Sequence, residues 1–481
     1  MDFFKKNNIW ISFLLIICVL TRLISSIYYI EDIDSMRFYF SAIDYDVLNN
    51  RPHFPGYPLY CLILKCVYIL TNSIELSFSI IGGLSIFLII YFSTSCYKLL
   101  FHDSNHSRCL SLLLFFNPLL WLMSNRYMPD IFGLAILLIC LFFFLNYTNS
   151  SNKKYIFYLA FFTAVLAGVR ISYLPFLLPI FISLIKDFRV FVNLIFATTL
   201  FCLIWIIPWI FTVGHEELYL LATNNTYGHF YKWGGTIYSS ENTFFIRLIR
   251  LSESVIAHSF NCWWPGRNLF TLINSFAFLI LLFGFLKKRA SYSKLNRNSL
   301  LIISCIIFYV LWVFLFQNIS YKPRHVLPFI PFLSMLLTDG FSFIKRNLKS
   351  YFVISMCLIG FIFSTIKIAS QHTNDSAISQ LKNHLNSIDY PVCVHIQNDL
   401  IKYYVSKFLT NPNVVLIKSL NDYCHNNKYN DMALISTSSI PSCQLYKVGD
   451  EHFFHNPYVN RLWYHIKISE YKNPINEVEV E

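Results

Sequence analysis

Charge is what this sequence has least of. Asp, Glu, Lys and Arg together make up 13% of its 481 residues, while hydrophobic residues make up 56%. A soluble domain carries roughly 25% charged residues, so this much apolar surface has no place in water, and both a soluble enzyme and a disordered chain are excluded. No internal repeat or low-complexity tract stands out along the chain. None of the 13 cysteines forms a CxxC pair, and Cys18, Cys96, Cys140 and Cys305 sit singly in apolar runs, where cysteine packs as a small hydrophobe. That spacing offers neither a zinc site nor a disulfide scaffold.

Long apolar runs are what the chain has instead. A bilayer core of about 30 Å needs roughly 20 apolar residues per helix. Twelve stretches approach this, at 9–29, 56–71, 76–100, 109–124, 128–147, 155–169, 171–186, 189–213, 268–286, 299–316, 325–341 and 350–369. The first is long and lacks a small-residue cleavage site, which makes it a retained anchor rather than a signal peptide. Lys and Arg in short loops mark the cytoplasmic side. They fall in six clusters: Lys5 and Lys6; Lys98 and Arg108; Lys153 and Lys154; Lys186 and Arg189; Lys287 to Arg297; and Lys345, Arg346 and Lys349. Twelve crossings cannot put all six on one side. The stretch 56–71 is the one to remove, since it is short, opens with prolines and carries Lys65 at its middle. It fits a segment lying in or dipping into the outer interface. Eleven spans then put the N-terminus and every basic cluster inside and the C-terminus outside.

This topology also explains the net charge of +12. The six clusters hold 16 Lys and Arg against Asp2, Asp103 and Asp187, so they carry +13 and the rest of the chain about −1. The basic balance is a topology signal, and binding to nucleic acid is not expected. On the outer side lie residues 30–75, a turn at 124–130, a bend at Arg170, a large loop at 214–267, a short loop at 317–324 and the tail. The tail changes composition: strand, helix, strand and strand follow one another in SIDYPVCVHI, NDLIKYYVSKFLT, NVVLIKS and DMALIST. The expected architecture is an α-helical polytopic membrane module over 1–369, with about 11 transmembrane helices, and a small extracytoplasmic α/β domain over 370–481.

The first outer loop gathers Glu31, Asp32, Asp34, Asp44 and Asp46 just after a membrane exit. From Ser35 to Leu48, Met36, Tyr39, Phe40, Ile43, Val47 and Leu48 trace one apolar helix face, so an amphipathic surface helix is expected. Asp34 then stands at its start, either as an N-cap or as a general base that takes a proton from an acceptor hydroxyl. Asp44 and Asp46 read as solvated positions on the helix face. Arg126 and Asp130, four apart, read as a structural pair or as a group meeting a phosphate, with Arg126 on the anion and Asp130 orienting it. Arg170 interrupts two apolar runs, where an unpaired charge costs about 2.5 to 3.5 kcal/mol to insert. Either snorkelling to the surface or a lipid phosphate accounts for it. Lys322 and Arg324, beside His325, are basic residues in a short outer loop, against the positive-inside tendency, and suit a lipid phosphate or lipid headgroups. His53, in RPHFP, and His229, in the aromatic stretch near Gly234 and Gly235, are further candidates for substrate contact.

Four segments in order, YYIEDIDS with RPHFPGYPLY, SNRYMPDIFG, GVRISYLPFLLP and KPRHVLPFIPFL, resemble the GT-C class of polytopic glycosyltransferases. The resemblance is to the group of protein O-mannosyltransferases and aminoarabinose transferases, and it covers the membrane part. It implies that an acid of the first outer loop, Asp34 or Asp32, is the catalytic base. It also implies a sugar donor carried on a polyprenyl or dolichyl phosphate. The expected activity is inverting transfer of a sugar to an extracytoplasmic glycan, lipid or protein, with membrane lipids as surroundings. Asp32 and Asp34 have a DxD-like spacing that leaves room for a divalent cation, but a lipid monophosphate donor does not require one, and no metal ligand is assigned. A bacterial inner membrane is favoured over an endoplasmic reticulum. The competing readings are a multipass transporter or flippase and a non-catalytic scaffold; the absence of matching halves and the outer-face position of the ionisable residues weigh against transport.

Overall fold

The computed structural model describes residues 8–101, 106–240, 243–290, 297–344, 348–424, 429, 432–438 and 445–472. Among the basic residues used above, Lys5, Lys6, Lys294, Lys345 and Arg346 lie outside the described residues. The chain groups into two units, Met1–Ile27 with Arg37–Ser370 and Tyr28–Met36 with Gln371–Glu481.

The first unit is helical. In chain order its helices are α1 (Asn8–Ile24), most of α2 (Ile33–Ile43), α3 (Pro58–Thr71), α4 (Ile74–Phe101), α5 (Ser107–Phe115), α6 (Pro118–Asn125), α7 (Asp130–Ser150) and α8 (Lys154–Arg170). There follow α9 (Leu178–Leu184), α10 (Phe188–Val213), α11 (His215–Tyr231), α12 (Phe244–Glu253), α13 (Leu272–Ala290), α14 (Arg297–Phe316), α15 (Ile330–Ile344) and most of α16 (Leu348–His372), whose last two residues group with the second unit. Among the described residues, six helical runs are long and apolar enough to cross a membrane: α4, α7, Lys154–Leu184, α10, Leu269–Lys288 and α14. The bent pair of α5 and α6 makes a seventh, and the helices at Ile9–Ile24 and Pro58–Thr71 are apolar but shorter. The chain is a multipass membrane protein.

Two of the expected stretches have a different local form. The run 109–124 is not one straight helix, because Asn117 and Pro118 restart it with a bend of 53°. Asn117 acts as N-cap, its side chain accepting the Leu120 N–H at 3.1 Å, and Pro118 fills the position where a missing N–H does no harm. The stretch 56–71 is the 14-residue helix α3, about 21 Å long at 1.5 Å per residue. Its Lys65 reaches out to donate to the Ile43 carbonyl at 2.9 Å, which closes the last turn of α2.

Helical structure runs on through 31 residues from Lys154 to Leu184, yet the chain turns back within it. At Arg170 the backbone leaves the helical region, with φ −155° and ψ 79°. The rings of Phe157 and Phe161 each meet Phe201 at 5.2 Å, and the Trp205 indole donates to the Ala164 carbonyl, so α8 and α10 run parallel. Two parallel helices that follow one another need a return segment between them, and Ile171–Leu184 is that segment. Its far end confirms the reversal: Leu184 and Lys186 share a cleft of about 600 Å³ with Tyr147, Ser151 and Arg297. The expected bend at Arg170 is therefore present, and three of the basic turns meet at the end of the bundle opposite to it.

The second unit is the α/β domain expected in the tail. Helix α17 (Ala377–Ser387) leads to β1 (Val392–His395), α18 (Asp399–Phe408), β2 (Val414–Leu416), α19 (Leu420–Cys424), β3 (Ala433–Ser436), β4 (Tyr446–Phe454) and β5 (His465–Lys472). The strands form one sheet in the order β2-β1-β3-β5-β4. β1 pairs in parallel with β2 and β3, Val392 lying opposite both Val414 and Ala433, whereas β5 is antiparallel to β3 and β4. Cys393, Ile417, Tyr423 and Leu434 form a core under this sheet. Cys424 is disulfide-bonded, a link that the cysteine spacing did not announce. The segment Tyr28–Met36, which carries Glu31, Asp32 and Asp34, groups with this unit.

Candidate active site

Three of the expected site residues, Asp130, Arg170 and Arg324, converge in the helical unit. Pro129 stands at the N-cap and Asp130 opens α7, where the exposed N–H groups of a helix start favour a carboxylate. Arg170 closes α8, the end at which a cation is favoured. α7 and α8 pack antiparallel, since Phe143 meets Tyr158, Cys140 meets Thr163 and Gly133 meets Arg170, so the start of one helix lies beside the end of the other. Gly133 permits the approach: a Cβ there would lie 2.6 Å from the Arg170 Cβ. Arg170 Nη2 then reaches Asp130 Oδ1 at 2.8 Å. The short 3-10 turn Pro323–Phe329, entered through Lys322, brings Arg324 Nε to 3.7 Å from the same oxygen. Asp130 is 0% exposed, Arg170 5% and Arg324 5%, so this is a buried cluster in which one carboxylate serves two guanidiniums.

Tyrosines complete it. Arg170 Nη1 donates to the Tyr57 hydroxyl at 3.3 Å, and that oxygen lies 3.2 Å from His53 Nε2, which joins His53 to the cluster. The guanidinium also lies over the rings of Tyr57 and Tyr173, at 5.7 and 5.8 Å. Tyr309, from α14, packs edge-on against Tyr173 and donates to the carbonyl of His325, which is itself buried. The 2.8 Å contact between Arg170 and Asp130 is close but not aligned as a hydrogen bond. Asp130 Oδ2, Arg170 Nε and the Tyr173 hydroxyl have no hydrogen-bond partner among the described residues. Three such groups around one buried ion pair are unusual, because buried polar atoms are nearly always satisfied.

The other candidates have defined places. Arg126 is 7% exposed and caps α6 with extended backbone, its N–H donating to the Leu122 carbonyl. The Asp130 carboxylate goes to Arg170 and Arg324, two residues far away in sequence, so the i,i+4 spacing of Arg126 and Asp130 did not name these partners. His229, near the end of α11, makes a 2.9 Å hydrogen bond to the Phe316 carbonyl at the end of α14. Burial holds its imidazole below the usual range and the Lys322 charge adds to this, against the Phe316 bond. Lys322 is half-buried at the entry of the 3-10 turn.

In the acidic segment, helix α2 starts at Ile33, two residues before the expected start at Ser35. Asp32 is the residue that caps it: Oδ1 accepts the Ser35 N–H at 2.8 Å and the carbonyl accepts the Met36 N–H. Asp34 lies one residue inside the first turn and is 5% exposed. The N-cap reading therefore moves from Asp34 to Asp32. Of the expected apolar face, Met36 and Val47 are buried and Ile43 and Leu48 are exposed, while Phe38, Ser41 and Ala42 are buried in addition. Asp44 pairs with Arg51 at 2.8 Å, and Asp46 holds Asn49, whose side chain keeps the carboxyl below its usual range; both are loop-forming contacts. Among the described residues no group of three His, Cys, Asp or Glu side chains is arranged to hold a metal ion.

Tyr57, Tyr173 and Tyr309 escaped the sequence reading because 31 tyrosines dilute any single one. The signal present was their adjacency to marked residues, Tyr57 in PGYPLY and Tyr173 three places after Arg170.

No family profile and no curated protein matches the chain in sequence. Its fold does have solved counterparts. The crystal structure of ArnT from Cupriavidus metallidurans bound to undecaprenyl phosphate superposes with a TM-score of 0.56 at 12% identity, covering 96% of this chain and 98% of that one. The apo structure of the same protein gives 0.54 at 12% identity, over 96% and 97%. The chain therefore has the GT-C type of fold implied by its four ordered segments.

Proposed function

We propose that this protein is an inverting membrane glycosyltransferase that moves a sugar from a polyprenyl-phosphate donor, or a dolichyl-phosphate one, to an acceptor on the extracytoplasmic side. The observation that carries this reading is the buried Asp130–Arg170–Arg324 cluster with its unsatisfied polar atoms. Arg170 Nε and the Tyr173 hydroxyl are donors, the chemistry that takes up phosphate oxygens. The neighbour ArnT, of like fold, is described with undecaprenyl phosphate bound. The disulfide at Cys424 supports an oxidising, extracytoplasmic tail, and a bacterial inner membrane with the N-terminus inside suits the basic clusters.

In the proposed reaction Asp34 takes the proton of the acceptor hydroxyl, and the resulting oxygen attacks the anomeric carbon. The bond from that carbon to the phosphate oxygen breaks, and the polyprenyl phosphate leaves with the electron pair. Arg170 and Arg324, with Arg126 and Lys322, stabilise the charge growing on that phosphate, while Asp130 orients the two guanidiniums. His53 supports Arg170 through Tyr57, and His229 supports the loop of Lys322 through Phe316. Asp32 caps the helix start, which supports Asp34 over Asp32 as the base.

The test is Asp34→Asn in cells, followed by mass analysis of surface glycans and glycolipids. Transfer should be abolished while expression and binding of undecaprenyl phosphate persist, and the missing sugar identifies donor and acceptor together. Full activity of the variant would refute the assignment, and substrate flux across proteoliposomes without transfer would identify a transporter instead.

A further inference from the structure

The segment that carries Asp34 is held by the tail at consecutive points. Glu31 and His372 are 0% and 1% exposed, and His372 Nε2 lies 3.0 Å from Glu31 Oε1. The carbonyls around that pair are also taken. Ser376 Oγ donates to Ile30 O at 3.2 Å and Asn460 Nδ2 to Glu31 O at 3.0 Å, while the Tyr29 hydroxyl donates to His372 O at 2.7 Å. Ser376 and Asn460 are as deeply buried as the pair itself. Immediately afterwards Asp32 caps α2, and Asp34 follows in its first turn. A buried carboxylate and imidazole are costly to place unless they meet, so they fix one geometry rather than allow several. None of these four tail contacts is needed to close the sheet, whose core lies at Cys393, Ile417, Tyr423 and Leu434.

We infer that Glu31 and His372 form a positioning pair through which the tail domain sets the orientation of Asp34. The inference rests on the reading of Asp34 as the base. The pair touches no reacting atom; it fixes the residue three places before the base, with Asn460 and Ser376 fixing the backbone beside it. Misplacement of a catalytic group by about 1 Å costs roughly 100-fold in rate, so the expected signature lies in kcat and not in donor affinity.

The experiment uses the full-length protein in nanodiscs, the polyprenyl-phosphate sugar extracted from source membranes, and release of polyprenyl phosphate as readout. Glu31→Gln and His372→Gln should each lower kcat roughly 10- to 100-fold, with donor KM within about two-fold of wild type. The reciprocal exchange Glu31→His with His372→Glu should recover much of the loss, which a general weakening of the tail would not. Should the pair variants fail to fold, Asn460→Ala, which removes only the donor to the Glu31 carbonyl, must show the same fall in kcat at constant KM. If Asp34→Asn is inactive while Glu31→Gln and His372→Gln keep full kcat, the positioning role is wrong and the base assignment stands. If wild type and Asp34→Asn are indistinguishable, the base assignment itself has failed.

Discussion

At the scale of single residues, the cluster at Arg170 turns on the shape of the guanidinium. One head group reaches Asp130, Tyr57 and the faces of two tyrosine rings, which an ammonium on a flexible stem cannot do together. Arg170→Lys is therefore expected to fold but to bind undecaprenyl phosphate at least about ten-fold more weakly, as read by tryptophan quenching in detergent. Arg170→Met leaves the buried Asp130 with less compensation and should cost up to about 3–5 kcal/mol, seen as a fall in the midpoint of thermal unfolding. If Arg170→Lys binds the lipid as wild type does, the phosphate is held elsewhere. The sequence made Arg170, Asp130, Lys322 and Arg324 visible because charges are rare in it. It did not reveal which of them meet, since the contacts Asp130–Arg170 and Asp130–Arg324 span 40 and 194 positions and depend on helix packing. Which of Asp32 and Asp34 caps α2 was likewise closed to it, because both are aspartates, which cap well, and only the observed start of α2 separates them.

At the scale of elements, the meeting of α7 and α8 depends on one missing side chain. Gly133 faces the Cβ of Arg170 at a distance no real side chain tolerates. Gly133→Val should push the helices apart at the cluster, costing about 1–3 kcal/mol and weakening lipid binding in parallel. A variant that loses stability but keeps the affinity would separate packing from the site. The loop of Lys322 has a comparable support in Arg247. Fully buried on α12, it donates to the carbonyls of Phe314 and Gln317 at the end of α14 and to Gly235. It was not singled out from sequence, since an arginine that caps a helix end has no local pattern. Legibility here followed the strength of the periodic signal. Apolar runs announced the helices and β-branched runs announced β1 to β3. The mostly exposed β4, YKVGDEHFF, has no buried face to alternate and went unread.

At the scale of the whole molecule, Cys424 of the tail is disulfide-bonded, whereas the described cysteine side chains of the bundle are free. Loss of a native disulfide in a small domain costs about 2–5 kcal/mol. Dithiothreitol should therefore make the tail sensitive to protease at lower temperature while the helical circular dichroism of the bundle stays unchanged. Since Tyr28–Met36 groups with the tail, transfer activity should decline along with it even though the Asp130–Arg170–Arg324 cluster lies in the other unit. Equal loss of lipid binding under reduction would mean that the bundle depends on the tail for folding. Low charge made the membrane class legible at once, but nothing in the composition indicated that a few residues of the first loop would group with a domain that begins over 300 residues later.

The reversal at Arg170 gives α8 the character of a ruler. Its zero is the basic turn at Lys153 and Lys154, and its far mark is the guanidinium beside Asp130. Substitutions along the lipid face leave both marks where they are. Loss of one residue anywhere between them would draw Arg170 back about 1.5 Å and swing it about 100° around the helix, out of the cluster. This stretch of the chain is thus free in its spelling and fixed in its length.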